Sequence, residues 1–520
     1  MPQSSFSIGN IVRRWATSTP EATAVTQGGA DLSWGELYER SRRAAGALQA
    51  DGVGPGDRVA FLDKNGFAYF EVLFGGSLLN AVNVAVNWRL APSEMAFVIN
   101  DAEAKVLVVS TDFGQQLGQL VGQLTTVTRI VVIGDDPGDH VGYEAWLVAA
   151  APRDPRLPTA TDDVAVQLYT SGTTGLPKGV MLTNWNFEGV TEVAAQLEIG
   201  PTSVSMVAMP LYHVGGSGWA LFGMHAGAQS VIVREIDPAA VLQLIPEHRI
   251  THTFLVPIAL FFLTLTPGVE DVDYSSLEVI VYGASPIAED LLDRCIELFG
   301  CGFYQVYGLT ETTGAVTMLT PADHRDAEHR DRLRSAGRPM KNVEVRCVDL
   351  TTGVDVAPGE VGEIWIRGPQ VMQGYWHQPE ATSEVLTDDG WFKTGDAGYV
   401  VDGYLYLHDR VKDMIVSGGE NVYPGEVEKI LATHPGVGDV AVIAVPSERW
   451  GEEVKAVVVK AAGQDPTPEE LIAFARTQLA GYKVPKSVDF AADLPRNPTG
   501  KVLKKDLRAP YWKGRDRQIG

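Results

Sequence analysis

The chain has 520 residues, of which 45% are hydrophobic and 21% are charged. These values are typical of a globular protein and exclude a disordered or fibrous one. A single hydrophobic core stops growing well below this length, so we expect at least two domains. The formal net charge of −23 disfavours nucleic acid and anionic lipid surfaces as partners.

The cysteine content and the apolar stretches indicate a compartment. Cys295, Cys301 and Cys347 form neither a metal-binding spacing nor an even disulfide set, so we expect packing residues in a reducing environment. Residues 1–16 lack the basic segment and apolar run of a secretory signal. The most apolar stretch, 254–265, is shorter than the ~20 residues of a membrane-spanning helix. We therefore expect a cytoplasmic protein without a transmembrane segment.

The first three quarters of the chain alternate between helix-like and strand-like patterns, which predicts α/β layers. Helical periodicity covers 34–49 and 67–80. Short β-branched runs bounded by turn residues predict strands at 58–62, 106–110, 129–133 and 164–169.

The pattern changes after Arg338. Short strands with Gly-rich turns at 343–347, 362–367 and 403–407 predict an antiparallel β subdomain. Beyond Arg410 the patterns predict a compact α+β domain of ordinary size, with helices at 424–431 and 468–479 and strands at 437–445 and 454–459. The expected architecture is a large N-terminal domain, 1–410, of layered α/β subdomains plus the β subdomain, and a small C-terminal domain, 411–520.

Residues 169–180 read YTSGTTGLPKGV, so a strand ends in small hydroxyl and glycine residues before Lys178. Backbone N–H groups and hydroxyls in such a loop can bind phosphate oxygens, and a lysine adds a point charge. A Walker-type loop requires G-x-x-x-x-G-K-[ST] at the start of a helix. Here Pro177 precedes Lys178, Gly179 follows it, and a strand comes next, so the segment is a phosphate loop of another kind.

This loop, and the motifs that follow it in order as far as Lys501, resemble the adenylate-forming superfamily of acyl-CoA synthetases, luciferases and peptide-synthetase adenylation domains. The resemblance covers essentially the whole chain. It implies that ATP, with Mg²⁺, activates a carboxylic acid as acyl-AMP with release of pyrophosphate. Coenzyme A then accepts the acyl group and AMP leaves. It also implies that the small C-terminal domain is mobile.

The first implied site residues bind the phosphates and the acid. MPLYHV at 209–214 resembles the segment whose histidine, here His213, lies beside the substrate carboxylate. The residues implied to bind the ATP phosphates are Thr170, Ser171, Gly172, Thr173, Thr174 and Lys178.

Two further motifs, YGASP at 282–286 and YGLTET at 307–312, are implied to surround the adenine and the metal. Thr310 would supply a phosphate-binding hydroxyl and Glu311 a carboxylate for Mg²⁺. A hard divalent cation fits this chemistry, because attack of a carboxylate on ATP brings anions together. The implied adenine contacts are Gly283, Ala284, Tyr307 and Gly308.

The remaining motifs lie nearer the C-terminus. WFKTGD at 391–396 makes Asp396 the implied acceptor for the ribose hydroxyls, because a carboxylate is a strong acceptor. PRNPTGK at 495–501 ends in Lys501, whose charge would stabilise the transition state as pyrophosphate leaves. RVKDMIVSGGEN at 410–421 contains the last implied residues. Arg410 is implied to contact the ribose, and Lys412 is implied to be the hinge. The residues implied to lie near the thiol channel are Gly418, Gly419 and Glu420.

Several alternatives stay open. A carrier protein could replace coenzyme A as acceptor, and a luciferase-like oxygenase shares these motifs. An amino acid substrate is disfavoured, because 214–219 reads VGGSGW without the acidic residue that would hold an α-amino group. An inactive nucleotide-binding scaffold is disfavoured by the intact Lys178, Glu311, Asp396 and Lys501. The oligomeric state also stays open, with a homodimer as one alternative.

The resemblance also places the acyl pocket behind the His213 segment, along the helix after Pro257 and beside the two adenine loops. Its residues carry no formal charge, so an uncharged tail is expected. We predict a medium- or long-chain fatty acid or a bulky apolar acid. The expected lining is Gly215, Gly216, Gly218, Trp219, Phe222, residues 258–263, Gly283, Ala284 and Val316.

Overall fold

The computed structural model describes residues 6–170, 177–285, 287–410, 413–417, 420–447, 451–479, 481–496 and 502–513. The chain forms two compact units. Unit 1 comprises Met1–Glu344 and Arg367–Phe392, and unit 2 comprises Val345–Ile366 and Lys393–Gly520. The expected functional domains 1–410 and 411–520 stay a prediction.

Helices occur in both units, and several start at a proline, whose fixed φ suits the first helical turn. Helix α2 starts at a capping box, in which Glu36 N–H donates to Ser33 Oγ (3.2 Å) and Ser33 N–H donates to Glu36 Oε2 (2.8 Å). Within the described residues the α-helices are α1 (Ile8–Ser18), α2 (Trp34–Ala50), α3 (Phe67–Leu78), α4 (Pro92–Asp101), α5 (Gly114–Leu120), α6 (Tyr143–Ala149), α7 (Asn184–Gln196), α8 (Val214–Ala226), α9 (Pro238–His248), α10 (Pro257–Thr264), α11 (Glu289–Phe299), α12 (Pro321–Arg325), α13 (Pro379–Val385), α14 (Pro424–Ala432), α15 (Pro468–Arg476) and α16 (Lys504–Arg508).

The strands form four sheets within the described residues. They are β1 (Thr23–Gln27), β2 (Ala30–Ser33), β3 (Arg58–Leu62), β4 (Val82–Ala85), β5 (Ala104–Ser110), β6 (Arg129–Ile133), β7 (Val141–Gly142), β8 (Val164–Thr170), β9 (Lys178–Thr183), β10 (Val204–Val207), β11 (Gln229–Ile232), β12 (His252–Leu255), β13 (Val279–Gly283), β14 (Gly302–Leu309), β15 (Gly314–Leu319), β16 (Arg338–Pro339), β17 (Glu344–Val348), β18 (Gly362–Arg367), β19 (Gly374–Tyr375), β20 (Phe392–Val401), β21 (Tyr404–Arg410), β22 (Ile415–Ser417), β23 (Glu420–Val422), β24 (Val437–Ser447), β25 (Gly451–Lys460) and β26 (Ser487–Phe490).

The first sheet of unit 1 has nine strands in the order β16-β15-β14-β13-β12-β10-β11-β1-β2. The pairs from β1 through β11, β10, β12 and β13 to β14 are parallel. Every residue of β12 and β13 is buried, as is typical of parallel strands covered on both faces. The carboxyl ends of β10, β13 and β14 lie at one edge, where loops of α/β sheets commonly bind ligands.

The second sheet of unit 1 has eight strands in the order β19-β9-β8-β4-β3-β5-β6-β7. The pairs from β8 to β7 are parallel, whereas β8–β9 and β9–β19 are antiparallel. Strands β8 and β9 therefore form a hairpin, and its loop leaves the carboxyl end of a parallel strand. This edge is where the sequence predicts phosphate binding.

Unit 2 contains a four-stranded sheet, β17-β18-β20-β21, and a five-stranded sheet in which β26 joins β23-β22-β25-β24 through β25. The β20–β21 and β24–β25 pairs are antiparallel. Helices α14 and α15 contribute Val427, Leu431, Leu471 and Ala475 to a core shared with the five-stranded sheet. The predicted α/β fold with a β subdomain and a smaller α+β region is confirmed.

Two smaller predictions concern cysteines and membranes. Cys295, Cys301 and Cys347 are buried and unpaired, as predicted for packing residues. Among the described residues, no helix has the length and apolar character required to cross a bilayer.

Candidate active site

The β8–β9 hairpin carries the predicted phosphate loop. Thr170, the last residue of β8, lies opposite Lys178, the first residue of β9. The Lys178 ammonium lies 4.8 Å from the centre of the Tyr375 ring, a cation–π contact. Of the predicted phosphate-binding residues, those outside the described part of the chain are Ser171, Gly172, Thr173 and Thr174.

A row of hydrogen bonds supports this hairpin. Gln167 Nε2 donates to Tyr169 Oη (3.0 Å), which donates to Asp101 Oδ2 (2.6 Å). The Trp376 indole N–H donates to Asp101 O (2.9 Å), and the Trp376 backbone N–H donates to Gly179 O (2.8 Å). The hairpin is thereby attached to the end of α4 and to the segment that follows β19.

The turn between β14 and β15 carries Thr310 and Glu311 as a single 3₁₀ turn. Leu309 N–H donates to Thr312 Oγ1 (2.9 Å), and the same hydroxyl donates to Gly314 O (2.8 Å). Thr313 adopts a left-handed conformation with φ of 53°, and its hydroxyl donates to Gln370 O (2.7 Å). These bonds hold Thr310 and Glu311 in a defined turn.

Glu311 and Lys178 meet at one side chain. The Tyr375 hydroxyl donates to Glu311 Oε1 (3.0 Å), while the ring of the same residue faces the Lys178 ammonium. Burial, together with the charge of Glu311, raises the pKa of Tyr375, so the hydroxyl stays protonated and donates. A cation and a carboxylate from separate motifs are therefore brought to one tyrosine.

The residues present fit a magnesium ion bound with a nucleotide. The described residues contain no group of three or more His, Cys, Asp or Glu side chains that could bind a metal without other ligands. Mg²⁺ in nucleotide sites takes one or two carboxylates and completes its shell with phosphate oxygens and waters. Glu311, oriented by Tyr375, would supply such a carboxylate, and the ion would neutralise charge on the phosphates.

The two predicted adenine loops are adjacent, because β13 pairs in parallel with β14. Gly283 ends β13 opposite Val306, and a Cβ at Gly283 would lie 2.3 Å from Val306 O, so this position requires glycine. Ala284 is exposed and left-handed, with φ of 66°. In β14, Tyr307 is buried opposite Thr317 and is followed by Gly308.

His213 lies immediately before the first residue of α8 and is partly buried. Burial, reinforced by the positive charge of Arg89, lowers the pKa of His213 to about 4. Its ring lies 4.4 Å from the ring of Tyr212. The next residue, Val214, lies beside the turn that carries Glu311, because a Cβ at Gly314 would be 3.8 Å from Val214 Cγ2. A neutral imidazole therefore lies near the start of β15.

Asn65 holds the segment that leads to His213. Its side-chain amide donates to Met209 O and to Val233 O, both at 3.0 Å, and its Oδ1 accepts from Leu211 N–H at 3.0 Å. Asn65 is only 3% exposed. One buried side chain therefore hydrogen-bonds to the backbone at both ends of the 209–211 segment.

In unit 2, Asp396 of β20 lies opposite Arg410 of β21, so the structure brings the two predicted ribose residues together. Asp396 N–H donates to Thr394 Oγ1 (3.0 Å) after Gly395, whose φ is 69°. Of Arg410 and Glu420 only the backbone is described. Of the other predicted residues, Lys412, Gly418, Gly419 and Lys501 lie outside the described residues.

Comparison with known proteins identifies the family of this chain. A family model named AMP-binding enzyme matches residues 12–376, and one named AMP-binding enzyme C-terminal domain matches 426–501. The chain belongs to the AMP-binding enzyme family. Its members are AMP-forming acid ligases, and ATP, Mg²⁺ and coenzyme A are substrates and cofactors of this family. The predicted membership of the adenylate-forming superfamily is confirmed.

Individual relatives of this AMP-binding enzyme differ in substrate and acceptor. A feruloyl-CoA synthase of an Amycolatopsis species is 41% identical over 509 residues, covering 97% of this chain and 99% of the relative. The fatty acid–[acyl-carrier-protein] ligase ScoC of Streptomyces coeruleorubidus is 38% identical over 511 residues, covering 97% and 96%. The amide bond synthetase McbA of Marinactinospora thermotolerans superposes with a TM-score of 0.86 at 32% identity, covering 97% and 99%.

Three residues near the site were not predicted from the sequence: Tyr375, Asn65 and Arg89. Tyr375 lies in a two-residue strand, and Asn65 lies before α3 in a short turn. Arg89 lies in another turn, between β4 and α4. Their effects on Glu311, the 209–211 backbone and His213 arise from contacts distant in sequence, for which local spacing carries no signal.

Proposed function

We propose that this AMP-binding enzyme is an acyl-CoA ligase for an uncharged, apolar carboxylic acid. The acid carboxylate attacks the α-phosphate of ATP, forming acyl-AMP and releasing pyrophosphate. The thiol of coenzyme A then attacks the acyl carbon, forming the thioester and releasing AMP.

The observation that supports this proposal is that the Tyr375 side chain contacts both Lys178, through its ring, and Glu311, through its hydroxyl. The first half-reaction brings a carboxylate anion to a polyanion, so it needs fixed positive charge and a metal-binding carboxylate near the phosphates. Lys178 supplies the charge, and Glu311 would hold Mg²⁺.

The remaining roles come from the motifs. His213, neutral above a pH of about 4, is proposed to lie beside the acid without adding charge. Asp396 and Arg410 are proposed to bind the ribose. Lys501 is proposed to stabilise the departing pyrophosphate. The proposed C-terminal domain, 411–520, serves both half-reactions by rotating about Lys412.

An apolar tail is favoured by the side chains of α8 and β12. Trp219 and Phe222 of α8 are buried, and the Trp219 ring lies 6.2 Å from that of Phe254. The Trp219 indole N–H is already bonded to Met206 O (3.0 Å). A charged tail would find no partner among these side chains, and burying it would be costly.

Helix α10 contributes less to this lining than predicted. Ile258, Phe261 and Phe262 are 45%, 41% and 51% exposed, whereas Leu260 and Leu263 are buried. The first three side chains lie on the exposed face of the helix. We therefore propose that the acid site is bounded chiefly by α8, β12 and β15.

ATP–pyrophosphate exchange with a panel of acids tests the proposal. We expect exchange to rise from acetate to octanoate and to remain low with succinate, whose tail is charged. Each buried methylene adds about 0.8 kcal/mol, or about fourfold in specificity, until the pocket ends. Absence of exchange with every acid would favour the inactive scaffold. Acetate as the best substrate would contradict the apolar pocket.

The acceptor requires a separate experiment, because ScoC, at 38% identity, is named as an acyl-carrier-protein ligase. The enzyme first forms acyl-AMP in situ. Either coenzyme A or a phosphopantetheinylated carrier protein is then added, and the rate of thioester formation is measured for each. We expect faster transfer to coenzyme A. Faster transfer to the carrier would establish the alternative, and light emission in oxygen would indicate a luciferase-like activity.

A further inference from the structure

The segment from Met372 to Trp376 joins the β8–β9 hairpin to the turn that carries Glu311. Met372 N–H donates to Glu311 O (2.8 Å). Gln373 N–H donates to Met181 O (3.1 Å) and Trp376 N–H to Gly179 O (2.8 Å), so the same segment pairs with β9. The backbone therefore fixes the spacing between two motifs that are far apart in sequence.

Tyr375 is the side chain that this segment places between the two motifs. It is 7% exposed, its hydroxyl donates to Glu311 Oε1, and its ring faces the Lys178 ammonium. The backbone N–H of Tyr375 donates to Thr382 Oγ1 (2.9 Å), which fixes the start of the side chain against α13. Hydroxyl and ring thus contact two different charged groups from a rigid position.

We propose that Tyr375 is a positioning residue for Mg²⁺–ATP: its hydroxyl orients the Glu311 carboxylate toward the metal, and its ring orients Lys178 toward the phosphates. This inference rests on the proposed function, since both groups act on ATP. Carboxylates that bind metals are themselves hydrogen-bonded, and loss of such a partner typically weakens metal binding about 10–100-fold.

The two contacts can be separated by substitution. Tyr375→Phe keeps the ring beside Lys178 and removes only the hydroxyl that bonds Glu311. Tyr375→Leu removes both. The matched control is Tyr143→Phe, because the buried Tyr143 hydroxyl also donates to a buried carboxylate, Glu71 Oε2 (2.6 Å), between α6 and α3.

The experiment measures ATP binding by titration calorimetry, without acid, in EDTA and in excess Mg²⁺. For Tyr375→Phe we expect the affinity in Mg²⁺ to fall about 10-fold and the affinity in EDTA to change less than about twofold. For Tyr375→Leu we expect both affinities to fall. Tyr143→Phe should match the wild type in both conditions.

A double-mutant cycle identifies the route of the effect. If the hydroxyl acts through Glu311, Tyr375→Phe should have no further effect on Mg²⁺–ATP binding in a Glu311→Gln background. Equal losses in both backgrounds would overturn the proposal, as would wild-type Mg²⁺–ATP affinity in Tyr375→Phe. Equal losses in EDTA and Mg²⁺ for Tyr375→Phe would also overturn it.

This test is independent of the acid and of the final acceptor. A wild-type protein that binds Mg²⁺–ATP but exchanges no pyrophosphate would refute the proposed function while leaving the role of Tyr375 testable by binding. Circular dichroism and thermal unfolding of each variant confirm that a lost affinity reflects the site and not the fold.

Discussion

The guanidinium carbon of Arg58 lies 3.4 Å from the centre of the Trp376 ring. Burial lowers the pKa of Arg58, but an arginine stays charged at physiological pH. The contact joins the first residue of β3 to the segment that follows β19, on the sheet that carries the β8–β9 hairpin. Trp376 therefore contacts Arg58 through its ring, Asp101 through its indole N–H and Gly179 through its backbone N–H.

Replacing Trp376 should loosen the hairpin. We expect Trp376→Leu to lower the free energy of unfolding by about 2 kcal/mol, because it removes the cation–π contact and the bond to Asp101 O. Trp376→Phe keeps a ring under Arg58 and should lose about 1 kcal/mol. Urea unfolding measures both. Equal stability of Trp376→Leu and wild type would show that the contact contributes nothing.

Asn65 should be important for both stability and activity. Asn65→Leu leaves Leu211 N–H and the carbonyls of Met209 and Val233 buried without their partner, and we expect a loss of about 3 kcal/mol. Acid-dependent exchange should fall further than the folded fraction explains, because the segment before His213 is released.

The control for Asn65 is its neighbour Gln27, whose side chain donates to the Asn65 carbonyl (3.0 Å) and is partly buried. Gln27→Leu should lose no more than about 1 kcal/mol. If Gln27→Leu and Asn65→Leu are equally destabilising, the three bonds of the Asn65 amide have no special role.

His213 should make stability depend on pH. Its pKa falls from 6.5 to about 4 in the folded protein, so the folded state resists protonation. The neutral imidazole therefore contributes fully to the free energy of unfolding above pH 6.5. This contribution, about 2–3 kcal/mol in all, is lost as the pH falls toward 4. Urea unfolding of wild type and His213→Asn at several pH values should show curves that converge or cross in this window. Parallel curves would mean that His213 titrates normally.

Two glycines of α8 offer a matched pair. A Cβ at Gly216 would lie 2.2 Å from Pro210 O, whereas a Cβ at Gly218 meets side chains only at 3.4 Å or more. We expect Gly216→Ala to lose about 2 kcal/mol and to disturb the His213 turn. Gly218→Ala should be neutral or gain up to about 1 kcal/mol, because alanine favours helix. Equal effects in thermal unfolding would contradict the close approach at Gly216.

Much of the fold could be predicted because its strands are short apolar runs bounded by turn residues. Strands β3, β6 and β18 begin and end at the predicted residues. Helix α3 ends two residues earlier than predicted, and Asn80 then adopts φ of 58°, a left-handed conformation that asparagine tolerates. Helix α15 ends at Arg476 instead of residue 479. The residue at which a helix ends depends on such local backbone conformations, and hydrophobic periodicity carries no information about them.

The site was predictable only where its residues lie in continuous motifs. Lys178 and Glu311 could be found in this way, and their meeting point could not, because Tyr375 reaches them through the tertiary fold. The acyl lining on α10 was predicted from the resemblance, which names the helix but does not reveal which of its faces is covered. Gly283 could likewise be found from its motif, but the reason for a glycine there lies in the neighbouring strand, since a Cβ would be 2.3 Å from Val306 O.

Strand β19 is the edge strand beside β9, and it is synthesised long after the hairpin that it covers. Trp376 and its partner Asp101 are 275 residues apart. Until residue 376 leaves the ribosome, the N–H and C=O groups of β9 that will pair with β19 form an open edge, to which another chain can add. We therefore expect release of this two-residue strand from the ribosome to shorten the time during which the edge of β9 can pair with another chain.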